Sequence, residues 1–264
     1  MKTRRVPVIS LLTDFGTADY FVGAVKGAIL SVNPAAVIAD ITHEIPPQDV
    51  ETAAFTLLAA YETFPPGTIH FAVVDPGVGS ERRAIVVRAG KWLFVGPDNG
   101  IFTYIYDREP SQTFHITADK YFRPSPSTTF HGRDIFAPVA AALSNGVKPE
   151  ALGPLITDEV RLTNSLKPKV LKNGNVEARI IHVDHFGNCI TNITRDLVND
   201  AKHSTLLVKR KVIRTFLNSY SAAPPNTPFA IWGSAGFLEL SINGNSAAEK
   251  LRLNRGDIII LKRS

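Results

Sequence analysis

An acidic and a basic residue stand seven positions apart in the segment VDPGVGSERR, residues 74–83. Asp75 follows an almost continuously apolar run, TIHFAVV, which is typical of a buried strand. The Pro-Gly-Val-Gly after it predicts a tight turn, and Arg82 comes shortly after that turn. In α/β proteins, residues just past the carboxyl ends of strands line the ligand crevice. The spacing therefore places a carboxylate and a guanidinium where a substrate would bind.

Polar side chains also follow other predicted strands, and each alone has a simpler structural interpretation. An aspartate before a turn, such as Asp14, more often caps a helix or organises a loop. His131 could equally satisfy backbone groups at a helix start, where Arg133 and Asp134 could form a structural pair and Asp134 could cap the helix. Recurrence at several strand ends favours a shared site, because such sites are built from the loops of several strands. The strand-end residues are Asp14, His43, Asp75, Asp98, Asn99 and the HGRD segment 131–134.

Three kinds of site are compatible with these residues. A divalent metal could use the aspartates and histidines, but no closely spaced pair such as HxH or HExxH anchors one. A phosphate could contact the glycine-rich turn after Asp75, but that turn lacks the lysine and the serine or threonine of a P-loop. In a metal-free site, Asp75, Arg82 and His131 would act together on a water molecule. The guanidinium would keep the carboxylate charged, and the imidazole would order or accept a proton.

The DHFGN segment, residues 184–188, interrupts a strand pattern in the second half of the chain. Phe186 offers a flat face for a heteroaromatic ring, and Asn188 can both donate to and accept from a base edge. The simpler alternative is that Phe186 is a core residue and Asn188 a turn residue. Two further loops, residues 231–237 and 243–248, are rich in small residues, as ligand-facing loops often are.

Strand and helix patterns alternate up to about residue 150, which predicts an α/β domain with a central, mostly parallel sheet. The predicted strands are 6–14, 36–41 and 68–74, the predicted helices are 20–32, 50–64 and 135–143, and residues 84–88 and 92–95 are predicted to form a hairpin. After a linker near 165–169, period-two runs with no convincing helix predict a smaller antiparallel β-barrel. We therefore expect an N-terminal, sandwich-like α/β catalytic domain at 1–164 and a C-terminal β-barrel substrate-binding domain at 170–264.

The 264 residues are 44% hydrophobic and 20% charged, which excludes wholesale disorder. The longest apolar runs fall far below the ~20 residues that a membrane-spanning helix needs, and the first residues lack a signal-peptide pattern. The net charge of +5 comes from dispersed basic residues, so we expect neither a nucleic-acid partner nor a membrane partner. A single cysteine, Cys189, excludes an internal disulfide and favours a reducing cytoplasm.

Taken together, these segments resemble the family of S-adenosyl-methionine hydrolases (hydroxide adenosyltransferases), relatives of the fluorinating and chlorinating enzymes. The resemblance runs through TDFG (13–16), DPGVG to Arg82 (75–82), GPDNG (96–100), FHGRD (130–134), DHFGN with the following TN (184–192) and SAGFLEL (234–240). It covers nearly the whole chain and is therefore more specific than any single motif. It implies an N-terminal α/β domain, a C-terminal β-barrel and a homotrimer with active sites between subunits.

The resemblance also implies roles for individual residues. The family's Asp, Arg and His set around the attacking water falls on Asp75, Arg82 and His131. The implied substrate contacts are Asp14 at the ribose hydroxyls, Asp184 at the methionine amino group, Phe186 and Asn188 at adenine and nearby atoms, Ser234 and Glu239 at the methionine carboxylate end, and Ala247 in the 243–248 turn. Ala235 stands where the halogenating relatives have an arginine, and those relatives lack the Asp, Arg and His set. Both features favour water over halide as the nucleophile.

We therefore expect an enzyme that uses neither metal nor cofactor and acts on a small-molecule substrate. The expected reaction is attack of water at C5′ of S-adenosyl-L-methionine, or of its R-sulfonium epimer, which gives adenosine and L-methionine. Two alternatives stay open: a divalent-metal-dependent hydrolase of a nucleoside-type substrate, and a non-enzymatic adenosine- or RNA-binding module built on the barrel. The residues alone do not decide which group accepts the proton from water.

Overall fold

A seven-stranded sheet organises the first half of the chain. The computed structural model describes residues 8–163, 166–198 and 204–262, so the predicted start of the first strand at residue 6 lies outside the described residues. The elements are β1 (Val8–Thr13), α1 (Phe21–Val32), β2 (Val37–Thr42), α2 (Val50–Ala60), β3 (Ile69–Val73), β4 (Ala84–Ala89), β5 (Trp92–Pro97), α3 (Thr103–Arg108), β6 (Ser111–His115), α4 (Ala137–Ser144) and β7 (Leu155–Ile156). The strand order is β2-β1-β3-β5-β4-β6-β7. The first four strands in that order are parallel, and the remaining neighbours are antiparallel.

The predicted mixed α/β fold with a parallel-rich sheet is confirmed, and so is the hairpin of β4 and β5. The second helix ends at Ala60, four residues earlier than predicted, and a 3₁₀ turn, Tyr61–Thr63, follows it. The predicted helix at 135–143 instead begins as a π-helical segment, Gly132–Phe136, which continues into α4. Sequence patterns missed α3, β6 and β7, which are short and lack a clear apolar period.

The parallel strands bring several predicted site residues to one edge of this sheet. β1 pairs with β3 so that Thr13 lies beside Val73, and it pairs with β2 so that Leu12 lies beside Thr42. The carboxyl ends of these strands therefore lie together, and the loops after them begin at the same edge. Helices α1 and α4 pack on the sheet and contribute Val25, Ile29 and Val139 to its buried core.

The second half of the chain is almost wholly antiparallel. Its elements are β8 (Lys169–Val170), β9 (Val176–Val183), β10 (Cys189–Thr194), β11 (Thr205–Val208), β12 (Lys211–Ile213), β13 (Phe216–Leu217), β14 (Pro228–Trp232), β15 (Phe237–Ile242), α5 (Ala247–Leu251) and β16 (Ile258–Lys262). The nine-stranded sheet has the order β12-β11-β16-β9-β10-β15-β14-β13, with β8 paired to β9, and it curls into a half-barrel. Among the described strands of this second sheet, β13 and β14 are the one pair that is parallel. The helix α5 was not predicted, since its five residues are too few to give a helical period.

The chain divides into two compact units, Met1–Thr163 and Asn164–Ser264. Each unit has its own apolar core. None of the helices within the described ranges has the length and hydropathy that crossing a bilayer requires.

Two glycine-to-alanine substitutions should have opposite effects on the stability of the first unit. At Gly96 in β5, a Cβ would fall against the carbonyl oxygen of Ala72 and the ring of Phe102. We expect Gly96→Ala to destabilise by about 1–3 kcal/mol, as overpacking does. Gly27, in the middle of α1, has no atom within 4 Å of the added Cβ, so Gly27→Ala is the matched control. It should stabilise by about 0.5–1 kcal/mol through the lower entropy of the unfolded chain.

Urea denaturation, followed by circular dichroism for the wild type and both variants, measures the difference. Equal midpoints for the two variants would contradict the close approach of β5 to β3.

Candidate active site

Arg82 lies between Asp75 and His131 and hydrogen-bonds to both. Its Nε donates to both carboxylate oxygens of Asp75 at 3.0 Å, and Nη2 donates to Oδ2 of the same carboxylate. The same Nη2 lies 2.9 Å from Nδ1 of His131. The Asp75 and Arg82 side chains are only 6% and 10% exposed, so their ion pair is largely shielded from water. The three residues predicted to act together thus form one hydrogen-bonded chain.

The turn between the acid and the arginine is closed by Ser80. Its backbone N–H and its hydroxyl both donate to the carbonyl of Gly77, at 3.1 and 2.7 Å. Gly79 has a φ of +80°, and a side chain there would fall against the carbonyl oxygen of Thr128. The turn therefore requires a glycine at position 79 for both backbone conformation and space.

The guanidinium of Arg82 also rests on an aromatic ring of the helix that His131 begins. Its Cζ lies 5.2 Å from the centroid of the buried Phe136 ring, within the range of a cation–π contact. His131 is the residue immediately before the π-helical segment, and Phe136 is the last residue of that segment. Short π-helical segments inside α-helices occur frequently at functional sites. This segment places two contacts of one arginine on a single helix.

The contact with Arg82 fixes the tautomer of His131. A guanidinium can only donate, so Nδ1 of His131 must accept and the ring proton resides on Nε2. Partial burial lowers the pKa of His131 below its usual value of 6.5, and the positive charge of Arg82 lowers it further, against the opposing effect of Asp75. His131 is therefore neutral at pH 7 and presents an N–H donor at Nε2.

Asp14 is placed at the same sheet edge by a loop that His43 holds. The Thr13 hydroxyl lies 2.8 Å from Nδ1 of His43, and the N–H of Gly16 donates to the carbonyl of His43 at 2.8 Å. One carboxylate oxygen of Asp14 accepts the backbone N–H of Gln48 at 2.8 Å. Asp14 does not cap a helix, because α1 begins at Phe21 without a side-chain cap. It organises a loop while it stays partly exposed.

Asp134 and Arg133 form the structural pair that was one of their predicted roles. Nε and Nη2 of Arg133 donate to the two carboxylate oxygens of Asp134, at 2.7 and 2.8 Å. The N–H of Ser127 also donates to this carboxylate, so Asp134 holds the loop before His131. The prediction that Asp134 caps a helix is wrong, because its acceptors are used by Arg133 and that loop. Within residues 8–163, 166–198 and 204–262, no three His, Cys, Asp or Glu side chains converge as metal ligands.

A cavity of about 1010 Å³ lies within the second unit. Its lining includes five of the predicted substrate-binding residues: Asp184, Phe186, Asn188, Ser234 and Glu239. Phe186 is 76% exposed, so the alternative that it is a core residue is wrong. The other two predicted residues do not line the cavity: Asp14 belongs to the first unit, and the side chain of Ala247 is fully buried in the core of the second unit, where its neighbour Ser246 lines the cavity instead.

Asp184 shapes the loop that carries Phe186 and Asn188. Its Oδ1 accepts the backbone N–H groups of Phe186 and Asn188 at 2.9 and 2.8 Å, and its Oδ2 accepts the side-chain amide of Asn188 at 2.8 Å. The side-chain nitrogen of Asn188 is thereby engaged, and a ligand could donate to its side-chain oxygen, Oδ1. The carboxylate thus orients both residues toward the cavity.

Glu239 is a carboxylate in the middle of β15 and is only 7% exposed. The Tyr220 hydroxyl donates to its Oε2 at 2.9 Å, and the side chain fits against Gly233, where any Cβ would overlap the carboxylate. Burial raises the pKa of Glu239, and the negative charge of Asp184 raises it further, while the Tyr220 hydrogen bond lowers it. Two carboxylates therefore face one cavity, a setting that favours a cationic ligand group.

Sequence patterns missed several residues that line the cavity. Tyr220 lies in a short 3₁₀ turn with no apolar period, and Asn218 and Ser219 precede it. Trp232, in contrast, belongs to the 231–237 segment that was predicted to face a ligand, and it lines the cavity with Cζ of Arg195 4.8 Å from its ring centroid. One feature of the sequence could have indicated a polar partner such as Tyr220. Glu239 stands among apolar residues of a buried strand, and a buried carboxylate needs a hydrogen-bond partner.

Comparison with known proteins gives the same two-part division. Residues 9–153 match the SAM hydroxide adenosyltransferase N-terminal domain, and residues 178–260 match the SAM hydroxide adenosyltransferase C-terminal domain. The chain is 37% identical over 256 residues to a Thermus thermophilus protein named (R)-S-adenosyl-L-methionine hydrolase, covering 94% of this chain and 96% of that one. It is 27% identical over 216 residues to a fluorinase of an Actinoplanes species, covering 72% of each chain.

A solved structure of an uncharacterized conserved protein from Thermotoga maritima is also similar. It has a TM-score of 0.90 and 37% sequence identity, and the alignment covers 97% of this chain and 100% of that one. Two domain matches that together span most of the chain, with relatives aligned over nearly its full length, confirm the predicted family. The chain belongs to the SAM hydroxide adenosyltransferase family.

Proposed function

We propose that this protein hydrolyses S-adenosyl-L-methionine to adenosine and L-methionine, with the R-sulfonium epimer as the preferred substrate. The observation that carries the proposal is the hydrogen-bonded chain of Asp75, Arg82 and His131 at a sheet edge. The name of the Thermus thermophilus relative, (R)-S-adenosyl-L-methionine hydrolase, supports both the reaction and the epimer.

The chemistry of the substrate suits a site that positions water. A sulfonium already leaves readily, so the leaving sulfur needs no proton from the enzyme. Water oxygen attacks C5′, the bond from C5′ to sulfur breaks, and its electron pair stays on sulfur as the methionine thioether. One proton is released to solvent. The rate then depends on holding water in line behind C5′ and on excluding bulk solvent.

Asp75, Arg82 and His131 each have a distinct part in positioning that water. Asp75 fixes the arginine, and Nη1 of Arg82, which takes part in neither the Asp75 nor the His131 contact, would donate to the developing hydroxide. His131 donates from Nε2–H to the water oxygen. While its Nδ1 accepts from Arg82, it has no free lone pair with which to take a proton. Sequence left the role of His131 open between base and hydrogen-bond donor, and this geometry supports the donor.

The cavity of the second unit supports a substrate-binding role for that unit. The exposed ring of Phe186 would stack on adenine, and Asn188 would read its edge. Asp184 and Glu239 would face the cationic part of the substrate, and Ser234 the methionine carboxylate. Asp14 would bind the ribose hydroxyls. Ala247 can contribute only backbone groups, because its side chain is buried.

We propose that the active assembly is a homotrimer that completes each active site between subunits, in the cytoplasm and without a cofactor. An aromatic ring as exposed as Phe186 supports a partner surface. The cytoplasmic location is supported by cysteine usage, because the single cysteine, Cys189, is free and cannot form an internal disulfide. Sedimentation equilibrium tests the trimer, and a monomer would overturn it.

Cell fractionation tests the location, and an exported protein would overturn it. Turnover measured in excess chelator tests whether the enzyme works without metal, and loss of activity on chelation would overturn that proposal.

The central experiment incubates the purified protein with each sulfonium epimer and follows adenosine release by chromatography. We expect Arg82→Ala and His131→Ala to lose ~10²–10⁴-fold in kcat while still binding substrate, as removal of acid–base or water-orienting groups does. His131→Asn is the matched control, because its amide keeps an acceptor for Arg82 and removes the Nε2–H. Full activity in Arg82→Ala or His131→Ala would exclude the proposed roles, and full activity in His131→Asn would exclude the Nε2–H donor.

The neutral tautomer of His131 predicts that kcat falls at acidic pH and not at alkaline pH. Protonation would place a second proton on Nδ1, against the donor of Arg82, so the active form is the neutral ring. Because the pKa of His131 is lowered from 6.5, kcat should be constant above about pH 7 and should fall only on the acid side, with a midpoint below 6.5. A pH–rate profile of kcat measures this. A rise in kcat on acidification would contradict a neutral His131.

The carboxylates of the cavity predict a selective effect on substrate affinity. Glu239→Gln keeps the shape and the acceptor for Tyr220 but removes the charge. We expect KM to rise by ~10–100-fold with little change in kcat, because a hydrogen bond to a charged group contributes about 1.5–3 kcal/mol. Tyr220→Phe, which leaves the charge in place, should raise KM less. Initial-rate kinetics decide the point, and an unchanged KM in Glu239→Gln would exclude contact with the cationic group.

A further inference from the structure

The turn at residues 96–100, GPDNG, touches the segment that carries Asp75 and Arg82 at both of its ends. The side-chain nitrogen of Asn99 donates to the carbonyl of Val74 at 2.8 Å, one residue before the acid. The carboxylate of Asp98 accepts a hydrogen bond from Nε of Arg83 at 2.8 Å, one residue after Arg82. Two neighbouring residues of one turn thus hold the two ends of an eight-residue loop.

Further hydrogen bonds fix both side chains of the turn. Asp98 is 4% exposed, and its second oxygen accepts the backbone N–H of Val160 at 2.8 Å. The side-chain oxygen of Asn99 accepts the N–H of Ile101 at 3.2 Å, which fixes the amide so that its nitrogen faces Val74. Close packing of Gly96 on the Ala72 carbonyl brings the turn to this position.

The two contacts matter because the loop between them has little other support. Residues 78–81 are exposed, and the other hydrogen bonds inside the loop are those of its backbone and Ser80 and those of the Asp75–Arg82 ion pair itself. A loop anchored only by its own turn would let the carboxylate move relative to the arginine. A displacement of about 1 Å at a reacting centre can lower a rate by ~10²-fold.

We propose that Asn99 is a positioning residue for catalysis, which sets Asp75 against Arg82 by holding the carbonyl of Val74, with Asp98 holding the other end of the loop. This proposal rests on the proposed function of the Asp75, Arg82 and His131 chain. The GPDNG motif would then act in catalysis without contacting the substrate.

The test compares Asn99→Asp with the wild type. The aspartate keeps the acceptor for Ile101 but loses the donor to Val74 and sets a carboxylate against that carbonyl. We expect kcat to fall by ~10–100-fold with KM nearly unchanged, since the positioned group acts on the water. Asn99→Ala is the second variant and should show the same division between kcat and KM.

A matched control breaks hydrogen bonds on the other side of the same turn. The Thr103 hydroxyl donates to the carbonyl of Gly100 at 2.7 Å and accepts the N–H of Leu162 at 2.8 Å, and neither contact reaches the loop. Thr103→Val should lower the melting temperature but leave kcat unchanged. Equal losses of kcat in Thr103→Val and Asn99→Asp would mean that the turn acts on stability alone, and would overturn the proposal.

A double substitution separates positioning from a general weakening of the fold. In an Arg82→Lys background, Asn99→Asp should cause no further loss of kcat, because the group it positions is already changed. A further loss of the same factor would overturn the proposal.

A second readout does not depend on turnover. The Nε proton of Arg82, shielded by Asp75, should give a resolved, slowly exchanging NMR signal that exchanges at least tenfold faster in Asn99→Asp and not in Thr103→Val. If the wild type releases no adenosine from either epimer, the proposed function fails and this signal still decides the role of Asn99. An unchanged exchange rate in Asn99→Asp would overturn that role.

Discussion

The site in the first unit depends on one shielded guanidinium that needs several acceptors at once. Arg82 can only donate, so it requires an anion and a neutral acceptor, and it finds them in Asp75 and Nδ1 of His131. The ring of Phe136 covers its face. An unpaired charge in this position would be costly, so the three residues must keep their geometry together. The sharp turn after β3 and the π-helical start of α4 are the local structures that satisfy this constraint.

The cavity of the second unit presents the opposite electrostatic problem. There two carboxylates face the same space, and no cation among the described residues contributes to the shifted pKa of Glu239. Asp184 uses its oxygens within its own loop, whereas the carboxylate of Glu239 accepts a hydrogen bond from Tyr220 and lies in the space that Gly233 leaves. A substrate that carries positive charge would relieve this repulsion. A sulfonium with an ammonium group matches that requirement, and a neutral thioether product matches it less well.

Local features of the sequence predicted much of the fold and part of the site. The loop from Asp75 to Arg82 was predictable because a Pro-Gly turn after a buried strand joins residues only seven apart. The contact of Arg82 with His131 spans 49 residues and follows from tertiary packing. Residue types at strand ends offered a shared metal-free site as one of three alternatives, and the family resemblance favoured it over the other two. Tyr220 lies in a turn without periodicity, and its partner Glu239 looks like a core position by pattern alone. Ala247 was the reverse case: it lies in a loop-like stretch, yet it begins a helix whose first side chain is buried.

The π-helical segment from Gly132 to Phe136 has a consequence for how this chain can change over evolutionary time. Each residue of an α-helix turns the chain by about 100°, so adding or removing one residue here would rotate His131 and Phe136 relative to each other. Arg82 could then no longer contact Nδ1 of His131 and the ring of Phe136 at the same time. The number of residues in this helix start is therefore constrained more strongly than the identity of most of them. Insertions and deletions that a surface helix would tolerate should be absent from this segment in every chain that keeps the arginine.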